Sequence, residues 1–238
     1  MAIETVGTSS KAETRPSPLG AAAQKVYDDL RNRIVQMELP PDSTLSRADL
    51  ARDYEVSLMP IRDAMQRLER DGLIRVFPQS KTVVTRIDIQ QLHEAHFLRV
   101  AVESEIVRRI AVAGADEELI GRLRSLLRMQ AALVDDTQQY VMFNEIDEAF
   151  HKTLFGAVDQ IGLYDLVHSK SGHLARVQRL DLPKEGKMRD ILSKHSAIVD
   201  AIEARNPELA QQSMRAHLSG SISRIEASLA ENPSYFRT

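Results

Sequence analysis

The chain has 238 residues, of which 43% are hydrophobic and 27% charged, with a formal net charge of −3, the composition of a soluble globular protein with room for two domains. No apolar run approaches the roughly 18–20 residues that a bilayer span needs, and no apolar signal core opens the chain, so the expected compartment is the cytoplasm. The absence of cysteine excludes disulfides and thiolate metal ligands.

Residues 1–20 are polar, rich in Pro, Ser and Thr and without period, and are expected to form a disordered arm. A helix is predicted from about Ala21, with Val26, Leu30, Ile34 and Met37 at helical spacing up to the break at Pro40-Pro41. Two short helical patterns follow: Leu45, Leu50 and Ala51 with Tyr54, then Ile61, Ala64, Met65 and Leu68. The link between them, Glu55-Val56-Ser57, has room only for a tight turn. Ser57 reads as an N-cap, and Asp71-Gly72 as the stop of the second helix. Leu73–Phe77, the polar corner Pro78–Lys81 and the β-branched run Thr82–Arg86 then read as a short hairpin. Residues 21–87 therefore form a winged helix-turn-helix, whose second helix enters the major groove with its N-terminal residues toward the base edges. This segment carries 11 Lys/Arg against 10 Asp/Glu, and residues 88–238 carry 18 against 22. The reading head is barely basic, so specific binding is expected to need a homodimer engaging two half-sites.

From Asp88 to about residue 232 the pattern is helical throughout. Apolar periodicity runs through 89–113, 116–134, 138–157, 160–180, 187–204 and 207–231, with breaks at Gly114, Asp135-Asp136, Asp159, Pro183–Gly186 and Asn206-Pro207. Six or seven helices of this length make an antiparallel bundle. The predicted fold is mostly α, a winged helix-turn-helix followed by an all-α bundle.

Four ionisable residues sit in the apolar stripes of that bundle. Asp147 lies in line with Phe143, Phe150 and Leu154, and His151 follows one turn on. His195 shares a stripe with Leu192, Val199 and Ile202, and His217 shares one with Met214 and Ile225. Spacing alone leaves two readings open: separately buried, hydrogen-bonded side chains, or one shared ion, since a buried charge is costly unless paired or coordinated. Three nitrogens and one oxygen suit Zn²⁺, Ni²⁺ or Mn²⁺.

Leu50-Ala51, Val56-Ser57, Pro60-Ile61-Arg62-Asp63-Ala64-Met65, Arg67-Leu68 and Asp71-Gly72-Leu73 resemble the N-terminal motif of the GntR family of bacterial transcription regulators. The helical remainder resembles that of its FadR-like subfamily, with an FCD-type effector domain. Asp147-Glu148-Ala149-Phe150-His151, Lys194-His195 through Ile202 and Met214-Arg215-Ala216-His217-Leu218 match that subfamily's metal-binding segments. The resemblance implies that Asp147, His151, His195 and His217 hold a divalent metal. It also implies that Arg99 and Arg176 face a pocket for a small organic or sugar acid, where His96, one turn before Arg99, could join them. For DNA it implies a contact from Arg62; Ser57 and Met59, at the start of the recognition helix, are placed to reach base edges or phosphates, and Arg47 and Lys81 are candidate phosphate contacts. Three positions depart from the family pattern: Leu58 stands where Arg is usual, Ala48 where a contacting Arg is frequent, and Lys81 where the wing tip is usually Gly.

The function expected is a ligand-responsive regulator, a repressor by the family's commoner behaviour, binding a palindromic operator as a homodimer with no membrane partner. Two rivals are a regulator that senses the metal itself and a metalloenzyme with an accessory DNA-binding domain. The second lacks a general base, a nucleophile elbow or a phosphate loop in the sequence, so no enzyme activity is expected. His93, His168 and His173 carry no assignment.

Overall fold

A computed structural model describes residues 18–78, 80–220, 222–223 and 225–237; all but the last three residues of the polar arm 1–20 lie outside the described residues. Helix α1 (Pro18–Val35) begins three residues before the expected start. Its face of Val26, Leu30 and Ile34 packs on α3 (Leu58–Arg70) through Ile61, Met65 and Leu68, with α2 (Arg47–Asp53) and Leu50 closing the small core. Strands β1 (Thr44–Leu45), β2 (Ile74–Val76) and β3 (Thr82–Val84) form an antiparallel sheet of order β1-β3-β2. Spacing alone groups Leu45 with the first helix. The structure instead pairs it with Thr82 in β1, and Ser46 starts α2 by accepting from the Asp49 amide at 3.3 Å. Asp71 caps α3, and Gly72 follows at φ +77°, a backbone that L side chains rarely adopt.

The remainder is helical: α4 (Ile89–Ala113), α5 (Glu117–Ala131), α6 (Tyr140–Gly156), α7 (Ile161–Lys170), α8 (Gly172–Asp181), α9 (Lys187–Glu203), α10 (Pro207–Ser219) and α11 (Ile225–Glu231). The helix starts follow local chemistry. Asp88, Asp116 and Asn206 each accept from backbone amides of the first turn of α4, α5 and α10, and Pro207 fills the first position of α10. The long α4 lies at the centre, and Val107, Ile110, Leu123, Phe150, Ile198, Ile202 and Met214 build one continuous core around it.

Two of the six periodic runs divide. The run 160–180 breaks at Ser171, whose hydroxyl donates to the Val167 carbonyl at 2.7 Å. There Gly172 lets α8 come against the wing domain, because a Cβ at that position would stand 2.6 Å from Leu73 Cδ2. The run 207–231 divides into α10 and α11. Periodicity does not see either break, since both halves of each run keep their apolar stripe.

The two domains are tied at several points. The Ile87 amide donates to the Tyr235 carbonyl at 2.8 Å and the Arg237 amide to the Ile87 carbonyl at 2.9 Å, with Phe236 fully buried between Leu92, Leu174 and Val177. Arg176 is fully buried here, donating to the Thr85 carbonyl at 2.6 Å and approaching His173 Nδ1 at 2.8 Å. His173 Nδ1 also accepts from the Asp88 amide at 3.0 Å, so the ring must be neutral with its lone pair on that nitrogen. Burial, with the Arg176 cation beside it, pulls the His173 pKa down to about 3.

This shift has a direction in stability. Below about pH 6.5 the unfolded chain takes up a proton that the folded ring refuses, so stability is full at neutral pH and falls as pH drops. By pH 5 the loss from this one residue is about 2 kcal/mol. His173→Asn keeps an acceptor near Nδ1 without a titrating ring. Urea unfolding at pH 7 and pH 5 is expected to show a smaller loss in the variant by that amount; equal losses would contradict the neutral, buried role of His173.

Candidate metal centre and DNA-reading face

The four stripe residues converge. Helix α6 supplies Asp147 and His151 four residues apart, α9 supplies His195 and α10 supplies His217, and one ligand atom of each lies within 4.8 Å of the other three. His217 Nε2 is 3.2 Å from His151 Nε2, His195 Nε2 is 3.4 Å from Asp147 Oδ1, and His151 Nε2 is 3.8 Å from Asp147 Oδ2. Donors bonded at roughly 2.1 Å to a tetrahedral ion would stand about 3.4 Å apart, so this donor set fits an ion with little rearrangement.

Supporting side chains set which nitrogen faces the centre. His195 Nδ1 donates to Gln130 Oε1 at 2.9 Å, while its Nε2 is buried without a hydrogen-bond partner. Glu103 Oε2, from α4, stands 2.5 Å from His151 Nδ1. Both contacts leave Nε2 as the free lone pair, the arrangement by which outer hydrogen bonds orient metal-ligating imidazoles. Phe150 stacks on the His195 ring at 4.1 Å and removes its rotational freedom. Burial, and for His217 the neighbouring His195 next, holds both imidazoles well below the usual histidine pKa, so they are neutral and ready to coordinate. Burial also raises the Asp147 carboxyl, a cost that an adjacent cation would cancel.

A cavity of about 60 Å³ opens beside this cluster. Arg99 stands on its wall, with Nε 2.6 Å from Glu103 Oε1 and Nη2 3.4 Å from His151 Nε2. The Glu103 carboxylate is buried, yet Arg99 and His151 beside it hold its pKa far below the usual range. The other two expected pocket residues lie elsewhere. Arg176 is a correction: its Nη1 lies on the Thr85 carbonyl and its Nη2 beside His173 at the domain junction, and it takes no part in the wall. His96, one turn from Arg99 on α4, is half-buried and also outside the wall.

Gln130 and Glu103, which support the candidate ligands, belong to no motif in the sequence. Each carried a signal, since Gln130 occupies a core slot after Leu123 and Leu127, and Glu103 lies four residues after Arg99.

On the other domain, Arg47, Ser57, Met59, Arg62 and Lys81 are all exposed. Ser57 takes the extended N-cap backbone of α3 but its side chain makes no capping bond. Leu58 and Met59 are 60% and 58% exposed at the front of α3, an unusual position for two large apolar side chains. Lys81 and Arg75 flank the exposed Phe77 ring on the wing, at 5.9 and 5.4 Å from its centroid. Arg67 is turned inward: its guanidinium lies 3.9 Å over Tyr27 and donates to Gln24, tying α3 to α1.

Residues 22–84 match the family described as bacterial regulatory proteins, gntR family, and residues 92–220 match the FCD domain. The chain belongs to the GntR family and carries an FCD domain. An uncharacterized HTH-type transcriptional regulator in an unstable DNA locus of Streptomyces ambofaciens is 32% identical, over 90% of this chain and 89% of that protein. The HTH-type transcriptional repressor RspR of Escherichia coli K12 is 25% identical, over 94% of this chain and 97% of its own. The fold is shared with E. coli McbR/YncC (TM-score 0.73, 18% identity, 87% of this chain and 97% of that one). It is also shared with a putative GntR regulator from Rhodococcus sp. RHA1 (TM-score 0.67, 22% identity, 91% of this chain and 100% of that one). This GntR–FCD chain is thus a DNA-binding transcription regulator rather than an enzyme. Among the described residues no helix is long and apolar enough to cross a membrane.

Proposed function

We propose that this regulator is a cytoplasmic homodimeric repressor that binds an inverted-repeat operator and responds to a small organic acid anchored on a metal ion held by Asp147, His151, His195 and His217. The observation that carries the reading is the convergence of these four side chains from three helices, with Gln130 and Glu103 orienting two of the imidazoles, next to a cavity that Arg99 shares. A bound divalent ion would supply a Lewis-acid position for one carboxylate oxygen. Arg99 stands where it would take another, a charge-assisted contact. Zn²⁺, Ni²⁺ and Mn²⁺ all suit three nitrogens and one oxygen. The cavity beside the cluster favours an organic effector over the metal as the signal itself, because a pure metal sensor has no use for a walled space at its ligands.

For DNA reading, Arg62 reaches base edges one turn into α3, Ser57 and Met59 contact the groove at its start, and Arg47 and Lys81 meet phosphates. Leu58 and Met59 suit thymine methyl groups, which are the apolar features of the major groove.

Selection from a pool of randomised duplexes by the metal-loaded protein tests this reading. The expected product is a short inverted repeat enriched in T at the positions facing Leu58 and Met59. Enrichment of a sequence without two-fold symmetry would contradict the homodimer.

A further inference from the structure

The cavity beside the metal cluster is not closed by the bundle alone. Arg31 of α1, with Val35 and Gln36 at the end of that helix, forms part of its wall, so the reading head contributes directly to the pocket. Arg31 is 7% exposed and donates through Nη2 to the His168 carbonyl at 2.8 Å, which leaves its Nε buried with no hydrogen-bond partner. Gln36 Oε1 is likewise buried without a partner. Buried polar atoms are nearly always satisfied. A donor and an acceptor left open by the same segment, on one cavity wall, point to a ligand that completes them.

The charges say what kind of ligand. Six charged side chains line the cavity: Arg31, Arg99 and Arg179 against Glu103, Asp147 and Glu148. Their formal charges cancel, so a divalent ion at the cluster leaves two positive charges in excess. One carboxylate neutralises half of that excess; two neutralise it all.

We infer that the effector is a dicarboxylate, with one carboxylate on the metal and Arg99 and the other held by Arg31 of the reading head. Gln36 Oε1 suits a hydroxyl on the chain between them. This inference rests on the metal-anchored acid proposed above and adds the second grip.

The consequence is a direct mechanical link. Helix α1 packs along α3, and Arg67 over Tyr27 together with the 2.6 Å contact from Tyr27 to Asp71 bind the two helices into one body. A diacid spanning from the metal on α6, α9 and α10 to Arg31 on α1 would hold that body at one orientation to the bundle. Its preference for that orientation is what would shift DNA affinity.

The test titrates the zinc-loaded full-length chain calorimetrically with the straight-chain diacids from malonate to adipate and with monoacids of the same lengths. The best diacid is expected to bind at least about tenfold tighter than its matched monoacid, the worth of one charge-assisted hydrogen bond. Arg31→Met, which keeps the volume and removes the charge, should bring the diacid down to the monoacid's affinity, with monoacid binding and zinc stoichiometry unchanged. Monoacid binding with no diacid advantage, or a diacid advantage that survives Arg31→Met, overturns the second grip and leaves the metal-anchored acid standing. If no acid of either series binds the zinc-loaded chain, the anchored-acid reading fails and this inference with it. Should Arg31→Met disturb domain docking, amide hydrogen exchange on the unaltered protein decides: the diacid should slow exchange in residues 18–35 and the monoacid should not. Equal exchange with both acids overturns the proposal.

Discussion

His195→Ala is expected to reduce bound metal from one ion per chain to a small fraction of that, lowering affinity by more than about a hundredfold, since even outer-shell partners of such ligands are worth about 10–100-fold. His195 is fully buried, its Nδ1 fixed by Gln130 and its ring stacked on Phe150, so no other side chain of the cluster can move into its place. The truncation also opens a void beside Phe150 at a cost of about 2–4 kcal/mol, within what a domain of this size tolerates. The winged domain has its own core of Leu30, Ile61, Met65 and Leu68, so operator binding should persist while the response to acid is lost. Metal analysis of the purified variant checks the first claim and operator binding with and without acid checks the second. Undiminished metal stoichiometry would sink the four-ligand centre.

Arg62→Ala is expected to weaken operator binding by at least about thirtyfold while leaving metal content and unfolding unchanged. A good bidentate base contact is worth about 1–3 kcal/mol, and a homodimer would lose it twice. The exposed position of Arg62 means that its removal costs the fold nothing: the neighbouring Ile61, Ala64 and Met65 carry the packing. Arg67→Ala makes the contrast, because Arg67 joins α3 to α1 and should act on stability more than on base recognition. Operator affinity of Arg62→Ala equal to that of the unaltered protein would mean that α3 is not the reading helix.

The parts of this molecule that were legible in the sequence are those governed by local spacing. The tight link Glu55–Ser57, the Asp71-Gly72 stop and the β-branched run after Lys81 announced the winged domain. Asp147 and His151 at one helical turn announced half of the four-residue cluster that could hold a metal. The resemblance then joined His195 and His217 to them, something spacing could not do across helices separated by up to 70 residues. What stayed hidden depends on how the domains dock. Arg176 has the look of a pocket cation, yet its environment is set by the Thr85 carbonyl on the far side of the domain boundary. Arg31 looks like an ordinary surface position of α1 and is buried only because α7 lies over it. Leu45 fits the helical stripe but is claimed by β3, because backbone pairing with Thr82 outweighs a single apolar spacing. Gln130 could be read as a polar residue at a core slot, but its partner His195 is 65 positions away.

An effector that acts as proposed must reach the metal itself. The visible spectrum of the cobalt-loaded protein, recorded alongside operator binding while a candidate acid is titrated in, decides whether it does. The expected result is a change in the cobalt absorption bands that saturates at one acid per chain, over the same concentration range in which DNA is released. Bands that stay unchanged while the DNA dissociates would contradict it.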